Sequence, residues 1–204
     1  MTTNIFYHLP SLGDYKARFS RTYEKILISG LMDKIDNFFI LTNSDSISFL
    51  DNLNVTVIKV DELPKSERPT LMYLKNFAIQ NDGYSLYLHC KGSSRPFTQS
   101  IQDWIDMLDY FCIEQFEQCL VELDNGYDIV GCNFKKDAEE PHFSGNFWWA
   151  NNKYIATLPD INSDDRVRCE MWVGKGANLK VKTFHDSPVN HYHSLYPPSN
   201  YRTN

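Results

Sequence analysis

The sequence predicts an α/β protein with a mostly parallel central sheet flanked by helices. Two observations carry that expectation. Short apolar runs rich in strand formers alternate with helical stripes through the first ninety residues, and strands joined through helices pair in parallel. The chain has 204 residues, 42% of them hydrophobic, which is enough for one substantial core and too few for two comfortable domains.

Residues 4–10, "NIFYHLP", read as a first strand stopped by Pro10. A helix follows over 14–34. Tyr15, Phe19, Tyr23, Ile26, Leu27 and Leu31 lie on one stripe, with Asp14 placed to cap it. "NFFILTN" (37–43) and the alternating "VTVIKVD" (55–61) are the next strands. "ERPTLMYLKNFAIQ" is a helix with Pro69 in its first turn, and "YSLYLHC" is the strand after it. Residues 99–126 form the clearest helix. Ile101, Trp104, Ile105, Leu108, Phe111, Cys112, Phe116, Cys119, Leu120 and Leu123 repeat at three- and four-residue steps, and Gly126 stops the run. "YDIVGCNF" is a further strand, followed by the polar loop "KKDAEEP" and the aromatic-rich "HFSGNFWWANNKYIATLP". No internal repeat or low-complexity block interrupts this order.

Composition narrows the function. A net charge of -6 argues against nucleic acid as a main partner. Residues 166–204 nonetheless hold six Lys/Arg against Glu170 and Asp186, a local balance of +4, together with three of the six histidines. Aromatics reach 14%, a surplus that suits either a pocket for planar or sugar-like ligands or simply an aromatic core. The five cysteines, Cys90, Cys112, Cys119, Cys132 and Cys169, form no CxxC pair. They point to reduced thiols and a cytoplasmic setting. The start, "MTTNIFYHLPSL", has neither a basic leader nor a long apolar run, and no stretch approaches the ~20 apolar residues of a membrane span.

No GxGxxG, P-loop, GxSxG or HExxH motif occurs, so the commonest dinucleotide, NTPase, hydrolase and zinc-protease readings drop out. Four segments remain. His89, Cys90, Lys91 and Gly92 end a buried strand. Lys91 is a candidate to neutralise phosphate and Gly92 to let backbone approach it, against the plainer reading of a solvated turn. In residues 142–155, Ser144, Gly145 and Asn146 interrupt an aromatic strand beside Trp148 and Trp149. Such small polar residues beside indoles suit a sugar, or else mark a bulge in a core strand. In "RVRCEMW", Arg168 and Glu170 lie two apart, which fits a general base among basic and aromatic residues or a surface ion pair. Finally, "KTFHDSPVNHYH" offers His185, Asp186, His191 and His193. A histidine after a late strand can hold a metal or a diphosphate oxygen. Strand polarity further places Tyr7, His8 and Leu9, with residues 41–43 and Asp61, along one sheet edge where ligands bind.

Taken in order, "YLHCKG", the long helix, "DIVGCN", "HFSGNFWWANNKYI..LP" and "R.RCEMW" resemble small glycosyltransferases of bacterial capsule and lipopolysaccharide clusters and of large DNA viruses. The likeness leans toward the N-terminal domain of a chlorella-virus glycosyltransferase. "YLHxKG" and "HFSGNFWWAN" are its most specific parts. The resemblance implies a single GT-A (Rossmann-like) domain over 1–204, with 1–98 mainly the nucleotide-sugar half and 99–204 mainly the acceptor half. It implies a nucleotide-diphosphate sugar donor, a UDP-sugar first, a glycan acceptor, and commonly Mn²⁺ or Mg²⁺. Yet no Asp-x-Asp occurs. The nearest acidic triplets are Asp137-Ala138-Glu139 and Glu122-Leu123-Asp124, and His89 and Lys91 stand where the acidic pair is expected. Lysine or histidine can meet the charge of a leaving diphosphate. Metal independence is therefore one expectation, and a metal held through His185 the other.

The expected roles follow. Glu170 is the catalytic base; Asp103 and Asp106 are instead explained by the helix start, and Asp164 and Asp165 as loop acids before a helix. Tyr7, His8, Leu9, Asp61, His89, Lys91, Gly92 and His185 serve the donor. Ser144, Gly145, Asn146, Trp148, Trp149 and Arg168 serve the acceptor sugar. The alternative is a catalytically inactive module on the same fold that binds a glycan or nucleotide sugar, with an unrelated nucleotide-binding hydrolase behind it.

Overall fold

The computed structural model describes residues 1–60, 66–163 and 165–202, without the Arg166 side chain. Seven strands form one sheet in the order β3-β2-β1-β4-β8-β5-β9. They are β1 (Thr2–Leu9), β2 (Asn37–Thr42), β3 (Thr56–Lys59), β4 (Gly83–His89), β5 (Ile129–Gly131), β8 (Trp148–Asn151) and β9 (Val181–Thr183). All run one way except β8, which is antiparallel to both neighbours. The remaining two, β6 (Phe134–Lys135) and β7 (His142–Phe143), form a separate antiparallel ribbon ahead of β8. The expected mostly parallel α/β sheet flanked by helices is the architecture observed, and it is Rossmann-like.

Helices cover both faces. One face carries α1 (Tyr15–Ile28), α3 (Gln99–Asp109) and α4 (Phe116–Asp124), and the other carries α2 (Arg68–Gln80), α5 (Asn152–Thr157) and α6 (Arg166–Met171). Strand alternation sorts the core accordingly. Ile5, Tyr7, Leu9, Leu86, Leu88 and Trp149 pack with the first group, while Phe6, Tyr87, Trp148 and Ala150 pack with the second.

Three local expectations are corrected. The single helix over 99–126 is two helices joined by a turn of π-helix over Tyr110–Glu114, where one extra residue per turn shifts the apolar stripe between halves. Asp14 occupies the N-cap of α1 but its side chain makes no capping bond. Asp103 and Asp106 do more than face a helix end: Asp103 accepts from the Tyr196 backbone N–H at 2.9 Å, and Asp106 pairs with Lys25 at 2.7 Å and with Arg21. Asp165, placed before a helix as expected, caps α6 by accepting from the Val167 N–H. Asp164 lies outside the described residues.

The sheet changes direction of winding between β1 and β4: β2 and β3 extend from one side of β1, and the later strands from β4. In such sheets ligands collect beyond the carboxyl ends of the strands at that point. Because β8 is reversed, its amino end lies at the same edge. The turn Ser144–Asn146 thereby meets the end of β4 through the Tyr87–Trp148 pair. Among the described residues no helix is long and apolar enough to cross a membrane.

Candidate functional site

A cavity of about 190 Å³ opens at this edge, lined by Glu67, His89, Lys91, Arg95, Gly145, Asn146, Val167, Glu170 and Tyr192. Five separate chain segments build it. β4 ends in His89, and Lys91 follows in a tight turn whose backbone closes from Ser93 N–H to the Cys90 carbonyl. Gly92 takes φ +77° there, and a Cβ on it would lie 2.9 Å from Ile101 Cγ2. Its freedom thus serves the turn and the close packing on α3, and Gly92 is not among the residues that line the cavity. The β8 side contributes a second turn with Gly145 at φ +103° and Asn146 at +55°. It lifts the Gly145 amide and carbonyl into the site.

The polar contacts are dense. Glu170, on α6, accepts from the Gly145 N–H at 2.9 Å, the one hydrogen bond it makes among the described residues. His89 Nε2 lies 3.0 Å from the Gly145 carbonyl oxygen, and its Nδ1 lies 3.6 Å from Glu67 Oε1. Glu67 Oε2 accepts from the Tyr87 hydroxyl at 2.9 Å and from the Asn146 amide. Asn146 in turn accepts from the Trp148 indole at 2.8 Å. Lys91 is nearly buried, its ammonium 3.5 Å from the centre of the Trp104 ring. The Arg95 guanidinium lies 4.9 Å from the centre of the exposed Tyr192 ring. Two carboxylates, one imidazole, one ammonium and one guanidinium therefore line a single cavity.

Of the residues singled out from sequence, His89, Lys91, Gly145, Asn146 and Glu170 come together here. The others go elsewhere. Tyr7 and Leu9 are fully buried on the α1/α3 face, because β1 is an interior strand with both faces covered. The Tyr7 hydroxyl faces the Cys90 thiol, and burial pushes its pKa well up. These side chains therefore do not flank a base. His8 is buried beside His89 in register and bonds Thr70 Oγ1 at 2.8 Å. Asp61 lies outside the described residues. Trp148 and Trp149 are corrected as sugar platforms: β8 is also interior, and both indoles are fully buried, one on each sheet face. Ser144 is half-buried and serves the turn by donating its N–H to the Asn133 carbonyl.

Arg168 is exposed on α6 and lines a different cavity, with Pro159, Asn162 and Trp172. It shares no site with Glu170, since two residues on a helix point about 200° apart. His185 is likewise remote. It bonds the Tyr196 hydroxyl at 2.8 Å and stacks on Phe111, and burial lowers its pKa. Among the described residues no group of three or more His, Cys, Asp or Glu converges on a metal position. The two carboxylates in the cavity also fit a divalent cation poorly, because one oxygen of each already accepts from N–H or O–H donors, the other oxygen of Glu67 faces His89, and Lys91 stands beside them. The five cysteines are buried free thiols, and burial pushes Cys90 up to about 12 and Cys169 to about 11.

Sequence reasoning missed Glu67, Arg95 and Tyr192. An acid directly before "RPTLMYL" marks a helix start, but nothing local in the sequence ties Glu67 to Tyr87, His89 and Asn146.

A family model matches residues 19–191. The chain belongs to that family, the Domain of unknown function DUF8361. The match takes in β2 to β9 and every residue lining the cavity except Tyr192. No curated protein matches the chain. Among solved structures, the bifunctional IspDF from Campylobacter jejuni is similar with a TM-score of 0.47 and 8% identity, over 98% of this chain and 53% of that one. The chain thus spans about half the length of that protein.

Proposed function

We propose that this chain is a glycosyltransferase of GT-A type. It would move a hexose or deoxyhexose from a nucleotide-diphosphate sugar, a UDP-sugar first, to a hydroxyl of a glycan acceptor. One observation carries the reading: Glu170 shares a cavity at the carboxyl edge of the sheet with two cations, Lys91 and Arg95. The two segments most specific to the glycosyltransferase resemblance, "YLHCKG" and "HFSGNFWWAN", supply facing walls of that cavity.

The chemistry follows from the charges. A carboxylate takes the proton of the acceptor hydroxyl as its oxygen attacks the sugar's anomeric carbon, and the bond from that carbon to the diphosphate breaks. Negative charge then grows on the leaving group, and a lysine and an arginine fixed nearby stabilise it. Gly145 holds Glu170 by one oxygen, which orients the base without neutralising it. The cavity is smaller than the ~300–1,000 Å³ typical of whole-ligand sites, so it suits the reacting centre. The nucleoside would run along the sheet edge toward β1 and β2. Among the described residues the cavity offers Mn²⁺ or Mg²⁺ a poor set of ligands, so the proposed chemistry rests on Lys91 and Arg95. A cytoplasmic setting belongs to the same proposal and is supported by the five free thiols.

A thermal-shift screen of UDP-, GDP- and dTDP-sugars, with and without Mn²⁺, tests the reading. A donor at a hundred times its Kd should stabilise the fold by about 2.7 kcal/mol. The best donor should then release free nucleotide diphosphate when glycan acceptors are added. Stabilisation by sugars alone, with no nucleotide needed, would favour a glycan-binding module instead.

A further inference from the structure

Both ring nitrogens of His89 face oxygens that accept. Nε2 lies 3.0 Å from the carbonyl oxygen of Gly145, which has no hydrogen to give, so Nε2 carries one. A neutral ring would then turn its Nδ1 lone pair toward Glu67 Oε1, 3.6 Å away. The other oxygen of the Glu67 carboxylate accepts from both the Tyr87 hydroxyl and the Asn146 amide, contacts that suit a carboxylate. The ring has little freedom to escape this arrangement. It stacks on Tyr87 with centroids 6.4 Å apart and meets the edge of Phe147 at 5.3 Å.

We infer that His89 is a built-in imidazolium, locked between the Glu67 carboxylate and the Gly145 carbonyl, and that it presents a fixed cation to an anionic phosphate or diphosphate group in the cavity. Its Nε2–H is taken by the Gly145 carbonyl and its Nδ1 faces Glu67 at ion-pair distance, so it acts on the anion by charge through space. Glu67 is a positioning residue that sets this charge. The charged groups around the ring come from every side. Glu67 lies at the start of α2, Lys91 and Arg95 follow β4, and Glu170 stands on α6, while His8 on β1 bonds to Thr70. Lys91 and Arg95 oppose protonation and the two carboxylates favour it, with Glu67 at ion-pair distance. The ligand class rests on the function proposed above, but the charge state does not.

The test uses ¹⁵N-histidine-labelled protein without ligand. At pH 8 an ordinary histidine is only about 3% charged. His89, assigned by the signals lost in His89→Gln, should show two protonated nitrogens at that pH. Glu67→Gln should return it to a single neutral tautomer, and Glu67→Asp should recover the doubly protonated form at least in part. A neutral His89 at pH 8 in the unsubstituted protein overturns the inference, and that spectrum decides alone if Glu67→Gln fails to fold. An imidazolium unchanged in folded Glu67→Gln overturns the role of Glu67. For the ligand, inorganic pyrophosphate should bind His89→Gln at least tenfold more weakly at pH 8, and equal binding refutes the anion-facing role. Failure of every sugar nucleotide to bind would sink glycosyl transfer while leaving the ligand-free spectra as they are.

Discussion

Gly145→Ala is the most informative single change, because its cost follows from the backbone and packing at that turn. The backbone sits at φ +103°, where a side chain is strained, at roughly 1–2 kcal/mol. The added Cβ would also lie 2.6 Å from Leu108 Cδ1 and 3.1 Å from Trp104 Nε1, both on α3 and both buried. Overpacking of that kind adds about 1–2 kcal/mol. The sum, about 3 kcal/mol, corresponds to a fall in Tm of about 6–12 °C for a chain of this size. Gly30→Ala is the control: φ is +78° but nothing lies within 4 Å, so only the backbone term applies and the fall should be about half as large. Calorimetry at one protein concentration measures both. Gly145 also gives its N–H to Glu170 and its carbonyl to His89, so turnover should fall beyond what lost stability explains when assayed well below Tm. A Gly145→Ala protein within 2 °C of the parent would refute the packing argument.

Further outcomes follow from the same geometry. Lys91→Ala should weaken pyrophosphate or donor binding by about one to two decades, equivalent to roughly 1.5–3 kcal/mol for a charge-assisted contact, as read by calorimetric titration. Unchanged affinity would refute a role for Lys91 in anion binding. Glu170→Gln should lower turnover about 10²–10⁴-fold with donor binding intact, and near-normal turnover would shift weight to a retaining mechanism in which the leaving diphosphate takes the proton. His191 is buried against Trp104, and burial first, then the Lys91 charge, lowers its pKa from 6.5 to about 4. The unfolded chain therefore binds the extra proton first. Stability should be complete above pH 6.5 and fall as pH drops toward 4. Chemical denaturation across that range should show the slope, and His191→Phe, which keeps a stacked ring, should flatten it.

How much was legible in the sequence depended on whether a residue's neighbours were local. The strands of the first half announced themselves through apolar runs, and β1, β2 and β4 lie where those runs do. His89 and Lys91 were legible because a strand end in a parallel sheet fixes its own location. Trp148 and Trp149 were not. A sugar platform and an interior strand share the same aromatic alphabet, and only the insertion of β8 between β4 and β5 decides between them. Arg168 and Glu170 looked like neighbours at a spacing of two, yet the helix sends them to different cavities. The π turn at Tyr110–Glu114 escaped notice because the apolar stripe continues through it. Glu67 joins the site through Tyr87, Asn146 and His89, which lie 20, 79 and 22 positions away, and no local pattern encodes that.

The reversed strand has a consequence for how this protein can change. Each parallel strand hands its carboxyl end to a connection that must cross over through a helix to reach the next parallel strand. The Gly145–Asn146 wall is approached differently, through the β6–β7 ribbon whose loop at 136–141 lies largely at the surface. Residues can be added or lost at that loop tip without altering any crossover or the order of strands. The Gly145–Asn146 wall touches His89 and Glu67 directly, but the hairpin tip that leads to it lies apart from the crossovers that fix His89 and Lys91. A lineage could vary this side of the cavity by editing one hairpin, while the strand order and the end of β4 stay as they are.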